Sequence, residues 1–459
     1  MKKLFIIAFI GVLVISLSRC HKAELAPDSA YDDRFSGGQA SVFDETSHAF
    51  TNSIEGMDAR DERAHELGDQ TFEAKFVAPP AIVFGGLGSV FNNVSCINCH
   101  RNDGGGFPST GAATSGLLMR ISQTGTDPHG GPLAVEGFGT QIQDQSVLGY
   151  TAEAKVNISY AEIPFTYPDG STASLRNPTY TLVNPYVPFS VPYMLSPRLA
   201  PPLIGIGLLD NIPESTILGF IDSGDKNGDG ISGKANMVYD PASGQTKVGR
   251  FGLKANTNSL LTQVATAYQQ DMGVTSYVTP VESTSDQQQY PAATETGKPE
   301  LADSLLNFVT FYVRTLAVPA RRNITDPDVK AGSIIFNQIN CSGCHRPTIM
   351  TGPDFNLPQL SGQRIHPYTD LLVHDMGLGL ADNRPDYLAT GSEWKTKALW
   401  GLGLLQKTTG IAYYLHDGRA RTIEEAILWH DGEAAKAKQA FTSLSVGDRN
   451  QLMKFLNSL

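Results

Sequence analysis

Two short runs constrain this chain more than any other part of it: Cys96-Ile-Asn-Cys99-His100 and Cys341-Ser-Gly-Cys344-His345. Each is a Cys-x-x-Cys-His run, the attachment signature of a c-type haem. Two thiols on one helical turn can bond to both vinyl groups of a haem, and the adjacent histidine is then held beneath the iron as its proximal ligand. The competing readings are a redox Cys-x-x-Cys pair or one four-cysteine zinc site assembled from both runs. A histidine directly after both pairs favours two haems.

At 459 residues the chain exceeds a single typical core, so two or more domains are expected. Mean hydropathy is −0.16, which fits a soluble globular protein and not a bundle of membrane helices. Net charge is −11, which argues against nucleic acid or an anionic membrane surface as partner.

Of five cysteines, four belong to the two runs and the fifth, Cys20, ends an export signal. Lys2-Lys3 precedes the apolar run Leu4–Leu17, too short for a comfortable membrane span, and Ser18-Arg19-Cys20 follows. Leu17-Ser18-Arg19-Cys20 resembles a lipobox, whose cysteine becomes the lipidated first residue. Plain cleavage leaving a free thiol is the alternative. Residues 1–20 are thus read as a signal and 21–36 as a tether. The expected location is the periplasm, as a free protein or an outer-membrane lipoprotein that meets the membrane only through its anchor.

Residues 37–322 read as a first cytochrome c-type domain and 323–459 as a second. The first contains an insertion over about 125–300. There Val156-Asn-Ile-Ser-Tyr160 alternates as a strand does and Tyr167-Pro-Asp-Gly170 carries Asp-Gly at a turn. Leu301–Leu316 has helical apolar spacing, and Ala331–Asn340 is the helix entering the second run. No internal repeat is visible beyond the two runs. Asp225-Lys-Asn227-Gly-Asp229-Gly230 matches the start of a calcium loop, but position twelve is Asn236 where a bidentate Glu is expected. Calcium at Asp225, Asn227 and Asp229 and a polar turn held by those side chains are both open.

Eight stretches, the first of them containing the first run, resemble the dihaem oxidoreductase family, whose members are described as peroxidases or thiol oxidoreductases. These are Ser95–His100, Gly205-Ile-Gly-Leu-Leu-Asp210, Asp229-Gly-Ile-Ser-Gly233, Gly249-Arg-Phe-Gly252, Leu316-Ala-Val-Pro-Ala-Arg321, His374-Asp-Met-Gly377, Gly391–Gly401 and His416–His430. The family is related to bacterial dihaem cytochrome c peroxidases and MauG-like enzymes. The resemblance implies a mainly α fold: two cytochrome c-type domains facing each other, with a loop- and strand-containing insertion in the first.

His430 is the candidate sixth ligand of the second haem. Thr422-Ile-Glu-Glu425 is a capping box, so a helix starts there, and Ile423, Ala426 and Ile427 share an apolar face with His430. A core histidine bonded to a neighbour, and Met376 as ligand, are the alternatives. Related peroxidases have Met at the matching position and MauG-like proteins have Tyr. No distal ligand stands out for the first haem. Gln143 and Glu153 resemble the distal Gln and Glu of related peroxidases and are the candidate catalytic pair. Relatives also place a Trp between the haems, whereas Trp394, Trp400 and Trp429 all fall in the second domain.

The function these features imply is an exported dihaem c-type oxidoreductase that reduces hydrogen peroxide at the first haem. Electrons would come through the second from a small redox protein or a quinol-linked donor. A non-catalytic electron-transfer cytochrome, and an oxidant of thiols or protein side chains, are the competing classes.

Overall fold

The computed structural model describes residues 33–81, 83–111, 116–283 and 298–459. The expected export signal, Cys20 and most of the tether lie outside the described residues.

Six helices frame the core: α1 (Ala59–Glu73), α2 (Leu260–Met272), α3 (Asp303–Arg314), α4 (Pro327–Gln338), α5 (Ile423–Trp429) and α6 (Val446–Ser458). Their starts are written locally. Asp58 caps α1 by accepting from the amides of Arg60 and Asp61, both at 2.9 Å, with Asp61 and Glu62 in the first turn. Asp326 caps α4, followed by Pro327, whose missing N–H removes one unsatisfied donor.

The expectation of a mainly α chain is overturned. Strand makes up 21% of the chain against 29% helix, dispersed in several small sheets. The chain leading into the insertion supplies β1 (Leu117–Thr126), the insertion itself β2 (Lys155–Thr166), β3 (Thr172–Val183) and β4 (Met194–Leu199), and β5 (Val373–Asp375) pairs with β6 (Glu393–Lys395) further on. The chain carries 45 glycines and 27 prolines, and few of them lie within these helices. Stretches rich in them cannot propagate a helix, and short ladders satisfy their backbone groups instead. β1 and β4 pair antiparallel from Leu117 opposite Leu199 to Ser122 opposite Met194. Leu117, Met119 and Ile121 point into a separate small core with Phe138 and Ile142, which leaves Leu118 and Arg120 on the opposite face.

Two helix crossings repeat one construction. Gly68 of α1 lies where a Cβ would overlap the Phe308 carbonyl oxygen of α3 and approach Tyr312 Cβ to 2.6 Å. Gly332 of α4 meets the Gln451 carbonyl and Phe455 Cβ (2.7 Å) of α6 in the same way. Four residues on, Phe72 packs 5.3 Å from the Tyr312 ring and 6.2 Å from His100. Phe336 packs 5.3 Å from Phe455 and 6.4 Å from His345. The pattern Gly-x-x-x-Phe ahead of each Cys-x-x-Cys-His run is therefore an internal repeat that the sequence reading missed. Its sign is two spaced residues in otherwise dissimilar helices.

β2 and β3 form a long hairpin, paired through twelve registers around the Tyr167–Ser171 turn, where Gly170 has φ +85°. The expected strand and Asp-Gly turn fall here. The hairpin reaches across to the segment carrying α5. Tyr167 Oη donates to Glu424 at 2.6 Å, Arg421 donates to Glu162 at 2.8 Å, and Arg176 donates to the Gly418 carbonyl at 2.6 Å. Arg449 of α6 donates to Asp169 at 2.5 Å at the hairpin tip.

The Asp169 pair makes hairpin docking depend on pH. Hydrogen bonds from Ser171 and Arg449 hold its carboxyl down to about 2. A depressed carboxylate contributes stability above its ordinary value near 3.8, lost as the pH falls through the folded one. Asp169→Asn is expected to lower hydrogen-exchange protection of residues 167–171 at pH 5. The gap from the native protein should shrink as the pH drops towards 2. A gap unchanged over that range would mean the tip is held by other contacts.

Candidate haem sites

The first run forms a single helical turn, Cys96–Cys99, tied to the end of α1 by Ser95 Oγ, which donates to the Phe72 and Glu73 carbonyls at 3.2 and 3.0 Å. His100 Nδ1 sits 2.9 Å from the Pro201 carbonyl oxygen. A carbonyl only accepts, so Nδ1 carries the proton and Nε2 presents a lone pair. The second run does the same on a 3-10 turn, with His345 Nδ1 donating to the Tyr368 carbonyl at 2.9 Å. Burial pushes both imidazoles down to about 4, so both are neutral ligands at physiological pH.

The thiols are not poised for redox or thiolate chemistry. All four are free, and burial pushes Cys96 and Cys341 up to about 12, Asp271 adding to the effect at Cys96. A reactive Cys-x-x-Cys shifts the other way. The two pairs also line different cavities, and among the described residues no cluster of three or more His, Cys, Asp or Glu is placed to hold a metal ion. Four-cysteine zinc is thereby set aside.

Each run opens on its own mostly apolar cavity, about 280 Å³ at Cys96, Cys99 and His100 and about 260 Å³ at Cys341, Cys344 and His345. An apolar slot edged by two neutral thiols, with a histidine lone pair, suits a flat macrocycle carrying one metal ion. The residues fit haem.

The second cavity holds a further candidate ligand. Thr422 Oγ1 accepts from the Glu425 amide at 3.0 Å and starts α5. Glu425 takes the Arg421 amide at 2.5 Å, so the expected capping box closes one residue early. α5 ends at Trp429, and His430 follows as an extended C-cap. Its Nδ1 donates to the Ala426 carbonyl at 2.7 Å, again leaving Nε2 bare, and burial lowers its pKa. Ile423, Ala426, Ile427 and His430 line the cavity with His345, and so does Met376.

The first cavity differs. Among the described residues, His100 is the single histidine on its wall and Met272 the one thioether there. Its polar lining includes Arg120 and Arg198 from β1 and β4, Gln263 and Asp271 from α2, and Lys395 and Lys397. Asp271 is buried, which raises its pKa; the Arg120 charge and a hydrogen bond from Gln141 Nε2 (2.8 Å) offset part of that. Sequence reasoning missed Asp271. The signal was an acid in register with Leu260, Val264 and Ala267, on an otherwise apolar helix face.

Gln143 and Glu153, expected as the catalytic pair, are together but elsewhere. The Gln143 amide donates to Glu153 Oε2 at 2.8 Å and Gln143 Nε2 donates to the Gln270 carbonyl at 2.6 Å. Both are buried, and neither lines the cavity at His100. They hold the insertion against α2.

The candidate calcium loop turns its oxygens on itself. Asp225 accepts from the Gly230 amide at 3.0 Å, Asn227 from Asp229 at 2.9 Å and Asp229 from Ile231 at 2.8 Å. Asn236, the twelfth position, is buried and bonds Lys254, Asp386 and Leu388. This is the geometry of a polar turn.

Six residues line both cavities: Pro202, Leu253, Lys395, Lys397, Ala398 and Trp400. The three tryptophans are thereby separated. Trp400 stands on both walls and Trp394 on the second alone, while Trp429 is on neither. Trp394 is stacked 3.8 Å from His416, with Lys254 Nζ 4.4 Å above its ring.

Paired Cys-x-x-Cys-His cavities meeting at one wall define the class as a dihaem redox protein. The profile described as "Di-haem oxidoreductase, putative peroxidase" matches residues 31–459, and the chain belongs to that family. It is a haem oxidoreductase by kind. No curated protein matches the chain. Among solved structures, hydrazine synthase of Kuenenia stuttgartiensis under 20 bar xenon is similar at 13% identity, covering 89% of this chain and 94% of that one. Its TM-score of 0.33 is too low to carry an argument.

Proposed function

We propose that the chain is an exported dihaem c-type oxidoreductase that reduces hydrogen peroxide in the cavity at His100, with electrons entering through the cavity at His345. The observation that carries this reading is the asymmetry of the cavities. In the second, His345 and His430 each spend Nδ1 on a backbone carbonyl and keep Nε2 free, while His374 is held by Asp370 and Glu433 and His416 stacks on Trp394 beside Asp417; among the described residues the first has His100 alone.

Haem attached at each run supplies one-electron redox chemistry and, where no sixth ligand intervenes, a position for a small oxidant. The polypeptide supplies the rest. Reduction of one peroxide to two waters consumes two electrons and two protons, so a group near the oxidant must hold and deliver protons. Asp271 is suited to this, because burial keeps its carboxyl readier to carry a proton than an exposed one. Arg120 opposes it with a fixed charge, and Gln263 offers an amide on the same wall. Trp400, on both walls, provides the aromatic step between the sites.

The donor we propose is a small redox protein or a quinol-linked carrier. Export follows from the Lys2-Lys3 and Leu4–Leu17 signal, with Cys20 as its anchor. A second reading, electron transfer without catalysis, is favoured by Met272, which lines the first cavity and whose thioether is of a kind that serves as a sixth ligand. Steady-state peroxide reduction separates the two. Two electrons drawn from a reduced donor per peroxide are expected, with a loss of about 100-fold or more in Asp271→Asn. No turnover in the native protein, restored in Met272→Ala, would instead establish the electron-transfer reading.

A further inference from the structure

We propose that Lys395 and Lys397 form a shared carboxylate-binding ridge, one that holds a propionate of the haem in each cavity. The inference rests on the dihaem reading above. Lys395 ends β6 and Lys397 follows two residues on, outside regular secondary structure. Both side chains stand on the walls of both cavities.

Their hydrogen bonding is incomplete in the way an anion would complete. An ammonium has three donors. Lys395 Nζ donates to the Arg250 carbonyl at 2.9 Å, and Lys397 Nζ donates to the Leu415 carbonyl at 2.8 Å. Among the described residues neither has a carboxylate within ion-pair distance. Lys254 shows what a purely structural buried lysine looks like in this protein. Its three donors go to Asp382 Oδ1 at 2.8 Å, the Arg384 carbonyl at 3.1 Å and the Thr390 carbonyl at 2.7 Å.

Two like charges side by side in an apolar wall are unfavourable without counter-charge. Burial, with the neighbouring Lys397 charge, pushes Lys395 down to about 7; burial pushes Lys397 down to about 8, against a partly offsetting pull from the more distant Asp417 carboxylate. Haem brings two carboxylates to each cavity, and these supply the missing acceptors and the missing charge. Arg198, by contrast, already pairs with Asp386 at 3.3 Å. One segment would thus ground both prosthetic groups, five residues or fewer before Trp400.

The test begins with a pyridine haemochrome count on the native protein. Fewer than two haems per chain overturns the dihaem reading and the ridge with it. With two haems present, redox titration and the propionate bending modes in resonance Raman are compared in K395Q, K397Q, the double variant and the conservative K395R/K397R. Removing a nearby cation favours the oxidised iron, so both midpoint potentials are expected to shift negative in the double Gln variant, with altered propionate modes. The Arg variant should stay close to native. Each single variant carries the same readout if the double one does not fold. Potentials and modes unchanged at either haem overturn the proposal. So does a change in the native protein's propionate modes on adding acetate, which would make the lysines a site for free carboxylates.

Discussion

Gly332→Ala is expected to destabilise the protein by roughly 3 kcal/mol or more. The added methyl falls on the Gln451 carbonyl of α6, and backbone cannot rotate away as a flexible side chain can. α4 and α6 must separate, and Phe336, one turn beyond Gly332, leaves its place against Phe455 and His345. The effect therefore has an address. Gly332→Ala should disturb the spectrum of the haem at His345, and Gly68→Ala, through Phe72, that of the haem at His100. Ile334→Ala, on the 58% exposed outer face of the same helix, is the control, expected within about 0.5 kcal/mol of native. Denaturant midpoints measure the losses. Equal spectral disturbance at both haems from either glycine would contradict the paired construction.

The second large effect is expected at His430. Its Nδ1 is committed to the Ala426 carbonyl, and its Nε2 opens on the cavity of His345. His430→Ala should convert one of two irons from low spin to high spin while the haem count stays at two, as thioether attachment requires. His430→Met should keep low spin and raise the potential of that haem, because thioether ligation favours the reduced iron. Electron paramagnetic resonance reads both outcomes. Met376 shares the wall. If the low-spin signal survives His430→Ala and disappears in Met376→Ala, the ligand is Met376.

What could be read from the sequence was what chemistry writes locally. Cys-x-x-Cys-His needs one turn of chain, the Thr422 cap acts on an amide three residues away, and the Tyr167–Gly170 turn closes its own hairpin. What escaped depends on distant partners. Beyond the local β2–β3 hairpin, much of the strand pairing joins segments far apart in the chain, as Ser41–Val42 does with Val318–Pro319 and β1 with β4. Gly68 and Gly332 gain their meaning from carbonyls more than a hundred residues away. Gln143 and Glu153 carried the right residue types, but the insertion folds them against α2, and Asp271 occupies the cavity wall instead. The Asp225–Asp229 loop had the spacing of ligands, and its own amides compete for the same oxygens.

The central claim is that the two sites differ, one iron closed by two histidines and one open to a small ligand. Cyanide added to the fully oxidised and the half-reduced protein, followed at the Soret band and by electron paramagnetic resonance, tests it directly. The account predicts that one haem of the two binds cyanide, and that Asp271→Asn leaves this binding intact while slowing peroxide reduction. Cyanide binding at neither haem in either redox state, or at both alike, would contradict it.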